Sequence, residues 1–282
     1  MTDVSQNNVD VRIGNYTAGD GLELKYRQWA GKSAGDALIY LHGIESHSEW
    51  FSWCAGRIAA AGATVFALDR RGSGLSEGTR GDSPGHLRFM DDVVRFAESV
   101  KASYSRLHCA ALSWGGKLAV ATNMLNPGVF ETITLIAPGI FPRVMPPITE
   151  RLAIAFDALF RPGTLHSIPI EDEMFTSISQ HLDYIKNDPL RLREVTARFY
   201  LESTKLDRYL KKKGYQWSAP TQLLLAEHDD IVDNRRLGAM FESLRMKTKK
   251  VKMYSGCKHS LVFEGPAEVA DDISDWMRTA RS

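Results

Sequence analysis

The stretch Cys109-Ala110-Ala111-Leu112-Ser113-Trp114-Gly115-Gly116 constrains this chain more than any other. Residues 106–111 before it form a mostly apolar run that suits a buried strand, and residues 117–125 after it read as helix, with Leu118, Ala121 and Leu125 on one side. Ser113 therefore falls at a tight strand-to-helix turn. Backbone and helix crowd together there, so the positions two before and two after the serine must be tiny. Ala111 and Gly115 fill them. This is the logic of the G-x-S-x-G nucleophile elbow, with alanine for the first glycine. The turn lifts the serine oxygen above the sheet and aims the Trp114 N–H at the place where an oxyanion would form. A serine between small residues is equally often a plain turn, so the reading depends on a base, an acid and a second oxyanion donor elsewhere.

The chain around the elbow alternates strands and helices. Residues 11–17 and 22–29 read as an opening antiparallel pair, with Gly19-Asp20-Gly21 as turn chemistry. Residues 37–41, 64–68, 132–136, 221–225 and 250–254 read as strands, several of them apolar enough to be buried on both faces. Residues 50–61, 86–103, 237–244 and 266–278 read as helices between them. The pattern predicts the α/β class with a mostly parallel, doubly wound sheet. It breaks after Pro138-Gly139. From residue 140 to 217 there are helices but no buried strand. Ile148, Leu152, Ala155, Phe156 and Leu159 stripe a first helix, and Leu192, Val195, Phe199, Leu206 and Leu210 a long later one. The expected organisation is a core of residues 1–139 and 218–282, with 140–217 a helical cap inserted after the sixth strand. Packing on the core accounts for most of the cap's apolar stripes.

Composition narrows the function classes. The 282 residues are enough for one core plus an insertion, and 44% hydrophobic with 24% charged residues is ordinary for a soluble globule. A net charge of +1 gives no bulk field to attract nucleic acid. Cys54, Cys109 and Cys257 are too few and scattered for a disulfide framework or metal cage, and read as reduced thiols of a cytoplasmic protein. Residues 1–10 are polar and lack the apolar core of a secretory signal.

A serine hydroxyl is a poor nucleophile unless a base takes its proton and a carboxylate orients the base. The acid candidate lies in the loop Ala226-Glu227-His228-Asp229-Asp230-Ile231-Val232, just past a strand, where open α/β sheets meet their ligands. Asp229 is chosen over Asp230 and Asp233. The base candidate is His259, which follows the last strand and precedes the last helix. Gly43 in the His42-Gly43-Ile44 turn permits close backbone approach, so the Ile44 N–H joins that of Trp114 as the second oxyanion donor. His42 and Asp69 read as structural. The order Ser, acid, His is the one expected for such a sheet, and this chemistry requires neither metal nor organic cofactor.

With these residues in place the chain resembles a serine-type α/β-hydrolase of the monoacylglycerol lipase and lysophospholipase-like group, the serine aminopeptidase type of domain. The group's H-G-x-x-x-H-S is matched by His42, Gly43, His47 and Ser48. Its D-x-R-G-x-G-x-S is matched by Asp69, Arg71, Gly72, Gly74 and Ser76, its D-x-I-V by Asp229, Ile231 and Val232, and its H-S-L by His259, Ser260 and Leu261. Asp188-Pro189-Leu190 is similar to a recurrent piece of the group's cap. The resemblance implies Ser113 as nucleophile, Asp229 as acid, His259 as base, and Ile44 and Trp114 as oxyanion donors. It implies a small-molecule acyl ester as substrate. Ala111 and Ser73 depart from the pattern without touching the chemistry. The Ser-Trp-Gly-Gly form also resembles proline iminopeptidases. A peptide substrate would need a cap carboxylate for its α-ammonium, for which Glu171, Asp172, Glu173 and Glu202 are available. A non-hydrolytic ligand-binding homologue is a third reading, against which the intact triad argues. The apolar helix over 152–160 suits either a brief membrane-surface contact or burial against the core.

Overall fold

The strands read from the sequence enter one eight-stranded sheet in the computed structural model, which describes residues 10–33 and 35–280. Apart from Asp10, the polar N-terminal stretch lies outside the described residues. In chain order the core elements before the insertion are β1 (Val11–Thr17), β2 (Glu23–Trp29), β3 (Asp36–Leu41), α1 (Ser52–Ala60), β4 (Thr64–Leu68), α2 (His86–Lys101), β5 (Arg106–Leu112), α3 (Trp114–Leu125) and β6 (Ile133–Ile136). The insertion then carries α4 (Ile148–Phe160), β7 (Leu165–Ser167), α5 (Ser179–Asn187), β8 (Glu194–Thr196) and α6 (Ala197–Lys212). The core resumes with β9 (Thr221–Ala226), α7 (Asn234–Glu242), β10 (Lys249–Tyr254), α8 (Leu261–Glu264) and α9 (Pro266–Thr279).

The strand order is β1-β2-β4-β3-β5-β6-β9-β10. β1 and β2 pair antiparallel, β2 pairs antiparallel with β4, and every other neighbouring pair is parallel. The central strands are buried on both faces because the crossover helices cover them: all of β4, β6 and β9 is buried. Leu38 and Ile39 of β3 pair with Val65 and Phe66 of β4, and each such side chain taken out of water contributes about 1.5–3 kcal/mol. β10 is the far edge, with Val251 and Met253 exposed and Lys249, Lys250 and Lys252 along it; charge on an edge discourages pairing with another chain. The parallel strands all run the same way. The segments after β3, β4, β5, β6, β9 and β10 therefore gather at one rim.

The insertion departs from expectation in two places. β7 and β8 form a small antiparallel ladder, Leu165 against Thr196, and Val195 and Thr196 are buried, so the region does hold a buried strand. The apolar stripe running from Leu192 to Leu210 spans that strand as well as α6. Thr196 divides them: its hydroxyl accepts the Phe199 N–H at 3.1 Å and caps the helix. Secondly, the stripe of α4 does not pack inward. Ile148, Leu152, Phe156, Leu159 and Phe160 are 54–75% exposed. The buried edge of α4 carries Ile154 and Asp157 instead, and Asp157 Oδ2 pairs with His166 Nε2 at 3.0 Å. No helix among the described residues is long and apolar enough to cross a membrane.

Candidate active site

Ser113 is the joint between β5 and α3, with φ 52° and ψ −120°. A non-glycine residue held there costs about 1–3 kcal/mol, so the surroundings must enforce it. The Ser113 N–H donates to Ile136 O at 3.0 Å, and its carbonyl accepts from Gly116 at 2.9 Å and Gly139 at 2.7 Å. Gly115 is where the helix meets β3. A methyl there would lie 2.3 Å from the Leu41 carbonyl oxygen and 2.7 Å from that of His42. Ala111, one strand turn earlier, is fully buried in β5 with its extra methyl accommodated.

The acid and base candidates meet. His259 Nδ1 and Asp229 Oδ2 are 2.8 Å apart, and both residues are buried. The other Asp229 oxygen accepts the Ile231 and Val232 N–H groups, each at 2.9 Å. Burial works to raise the Asp229 pKa, but His259 and these two amides outweigh it and hold the carboxyl below the usual aspartate range. Asp230 is exposed, and Asp233 caps α7 by accepting the Arg236 N–H at 3.0 Å. With Nδ1 engaged, His259 Nε2 is left buried and without a partner. No hydrogen bond joins it to Ser113 in this structure; such contacts often tighten only when substrate is bound. Both residues line one cavity, with Gly43, Ile44, Glu45, Ser46, Trp50, Leu112, Ile170, Phe175 and Ser260.

The His42-Gly43-Ile44 turn closes over the serine. A Cβ on Gly43 would touch Ser113 Cβ at 3.4 Å. The Ile44 N–H has no acceptor among the described residues. Nor has the Trp114 N–H, the first amide of α3, where a helix offers no carbonyl to receive it. His42 is structural, as its setting in the sequence suggested. Its Nε2 accepts the Arg70 N–H at 3.0 Å, so Nδ1 carries the proton and donates to Gly43 O at 2.8 Å. Burial, then the charge of Arg70, push its pKa well below the ordinary value. Asp69 is structural too: its carboxylate accepts the Ser48 N–H at 2.6 Å and the Leu75 N–H at 2.9 Å.

Several residues of this region are invisible to motif reading. Glu45 and Ser46 fill the variable places of H-G-x-x-x-H-S and turn out to line the cavity. Ile170 and Phe175 come from the insertion, and the Phe175 carbonyl accepts the Ser260 N–H at 2.8 Å. Glu45 forms a buried pair with Arg191, Nε at 2.7 Å and Nη2 at 2.5 Å. Burial raises Glu45 to about 7 against the pull of that guanidinium. Two fragments singled out separately in the sequence meet: His47 Nε2 lies 2.8 Å from Asp188 Oδ2, which also accepts the Trp50 indole N–H at 2.7 Å.

Known proteins resemble the chain over nearly its whole length. The human protein named monoglyceride lipase is 27% identical over 270 residues, covering 93% of this chain and 89% of its own. The crystal structure of a soluble variant of Saccharomyces cerevisiae monoglyceride lipase, in complex with a substrate analog, superposes with a TM-score of 0.84 at 16% identity, over 99% of this chain and 98% of that one. That of the Paleococcus ferrophilus monoacylglycerol lipase does so with a TM-score of 0.81 at 19% identity, over 90% and 98%. The family model Hydrolase_4, described as serine aminopeptidase, S33, matches residues 32–266, and the chain belongs to that family of α/β-hydrolases.

Proposed function

We propose that this protein is a carboxylic-ester hydrolase that cleaves medium- or long-chain acyl esters, monoacylglycerol and lysophospholipid among them, through a Ser113 acyl-enzyme. The observation that carries the reading is the Asp229–His259 pair, whose free Nε2 shares a cavity with a strained serine beside two unused amides. Ser113 Oγ attacks the ester carbonyl carbon while His259 Nε2 takes its proton. The carbonyl oxygen, now negative, rests on the Ile44 and Trp114 N–H groups. The intermediate collapses, His259 protonates the leaving alcohol, and the acyl group stays on Ser113. Water then repeats the sequence and releases the acid. Asp229 keeps the imidazole in the required tautomer and stabilises it when charged.

The relatives named monoglyceride lipase and the apolar part of the cavity, Ile44, Leu112, Ile170 and Phe175, both support an acyl substrate. A peptide substrate is less well supported. Glu171, Asp172, Glu173 and Glu202 do not line the cavity. Asp172 is bound to Arg191, Glu173 to Lys186, and Glu202 to His86 and Lys205. Glu45 does line it, but faces Arg191. The exposed apolar face of α4 supports contact with the lipid surface on which such substrates reside.

A fluorophosphonate probe tests the nucleophile. It is expected to label the wild-type protein and not Ser113→Ala, whose turnover falls by about 10⁶-fold, the order seen when a triad serine is removed. Persisting label in the mutant would place the nucleophile elsewhere. Assay of p-nitrophenyl esters of rising chain length beside monoacylglycerol and a prolyl anilide tests the substrate class. Hydrolysis of the anilide alone would move the reading to an aminopeptidase.

A further inference from the structure

Two adjacent arginines follow β4, and the structure uses them differently. Arg71 is neutralised by carboxylates: Nε and Nη2 donate to Asp92 at 2.6 and 2.8 Å, and Nη1 to Asp20 at 3.0 Å. Arg70 is also buried, yet no carboxylate among the described residues lies within ion-pair distance of it. Its Nη1 donates to Gly43 O at 3.2 Å, and its Nη2 to Ile44 O at 3.0 Å and Ser73 Oγ at 2.9 Å. Its Nε has no partner. The guanidinium carbon lies 4.7 Å from the centre of the Trp114 ring. Burial lowers the Arg70 pKa to about 9, and the carboxylate of adjacent Asp69 opposes that only from beyond ion-pair distance. A buried cation without a close partner is costly, by several kcal/mol in ordinary cases. Carbonyl dipoles and an aromatic face offset part of that cost.

We propose that Arg70 is a positioning residue for the oxyanion, setting the Gly43–Ile44 peptide and lending the positive charge of a guanidinium that no carboxylate bridges to the site where negative charge develops. The proposal rests on Ile44 and Trp114 being the oxyanion donors. A peptide unit is planar and rigid, so the Gly43 carbonyl and the Ile44 N–H point in opposite directions. Two donors hold that carbonyl, Arg70 Nη1 and His42 Nδ1 at 2.8 Å. They fix the direction of the Ile44 N–H, and by drawing charge towards the oxygen they make the N–H a stronger donor. The Trp114 ring packed on the guanidinium belongs to the other donor residue. One side chain therefore contacts both residues that carry the proposed donors, through the Ile44 carbonyl and the Trp114 ring. When the ester carbonyl becomes tetrahedral, its negative charge meets a positive charge already in place and not tied up in a direct ion pair.

The test compares the wild type, Arg70→Lys, Arg70→Met and Ser113→Ala on p-nitrophenyl butyrate. Affinities are measured for a trifluoromethyl ketone, which forms a tetrahedral adduct, and for butyramide, a neutral ground-state ligand. In Arg70→Met, kcat is expected to fall about 10- to 100-fold with KM changed less than about twofold, because the lost stabilisation belongs to the transition state. Ketone affinity should fall in proportion and butyramide affinity should not. Arg70→Lys retains the charge but not the two-carbonyl bridge, and should recover part of the loss. Wild-type kcat in either folded variant overturns the proposal, as does equal weakening of both ligands. Should thermal melting show Arg70→Met unfolded, Arg70→Lys decides by the same criteria. The wild-type ketone adduct, titrated by fluorine NMR, should be an anion at neutral pH; a neutral adduct overturns the proposal whatever the variants do. A Ser113→Ala protein that keeps its activity sinks the underlying acyl-enzyme reading. An inert Ser113→Ala beside unaffected Arg70 variants sinks this inference alone.

Discussion

Three aspartates crowd the loop after β9, and what separates them is burial and hydrogen bonding. Asp229 has both oxygens engaged by His259 and two amides, whereas Asp230 faces water. Asp229→Asn keeps the shape but presents His259 with an amide in place of a charged acceptor. Turnover is expected to fall by about 10⁴-fold, the order for that change in serine triads, while Asp230→Asn stays within about twofold. Steady-state kinetics on a soluble ester check both; the reverse pattern would move the acid by one residue. Such single residues were legible in the sequence because a motif ties residue type to a place at the end of a strand. Arg70 was not. Its neighbour Arg71 belongs to the motif, and nothing in Asp-Arg-Arg-Gly says which guanidinium is paired. That depends on Asp20 and Asp92, which reach Arg71 from distant parts of the chain.

At the scale of elements, hydrophobic patterning reported the strands and helices of the core, since a parallel strand buried on both faces is mostly apolar. It did not report which way α4 faces. An apolar stripe shows that a helix has two faces, and only packing tells which of them is inward. Here the inward edge is marked by the Asp157–His166 pair, and Leu159 and Phe160 project at 75% and 68% exposure. If that face rests on lipid, Leu159→Ser with Phe160→Ser should weaken binding to phosphatidylcholine vesicles by about tenfold or more, since each apolar side chain withdrawn from water contributes about 1.5–3 kcal/mol. Hydrolysis of a short soluble ester should be unchanged. Co-sedimentation with vesicles measures the first and a spectrophotometric assay the second. Unaltered sedimentation would leave this face without a role in membrane contact.

Across the whole molecule, the insertion is fastened to the rim of the sheet by polar contacts that the chain order hides. Asp188 is the fastening most open to test, because its carboxylate accepts from His47, Trp50 and the Leu190 N–H, the last at 2.9 Å. The motif fragments holding His47 and Asp188 were both visible in the sequence; their meeting, 141 positions apart, was not. Burial opposes ionisation of Asp188, but the His47 and Trp50 hydrogen bonds outweigh it and lower its pKa from 3.8. A carboxyl whose pKa is lower in the folded than in the unfolded chain stabilises the fold while ionised. That contribution is present above the unfolded value and is lost as pH falls through the folded one. Asp188→Asn leaves the donors of His47 and Trp50 competing with an amide, and should cost about 3 kcal/mol of unfolding free energy at neutral pH. The gap between mutant and wild type should narrow below the ordinary aspartate pKa of 3.8, where the wild-type carboxyl takes up its proton. Urea denaturation at neutral and acid pH measures both. A gap that stays constant with pH would mean that Asp188 holds the insertion by shape rather than by charge.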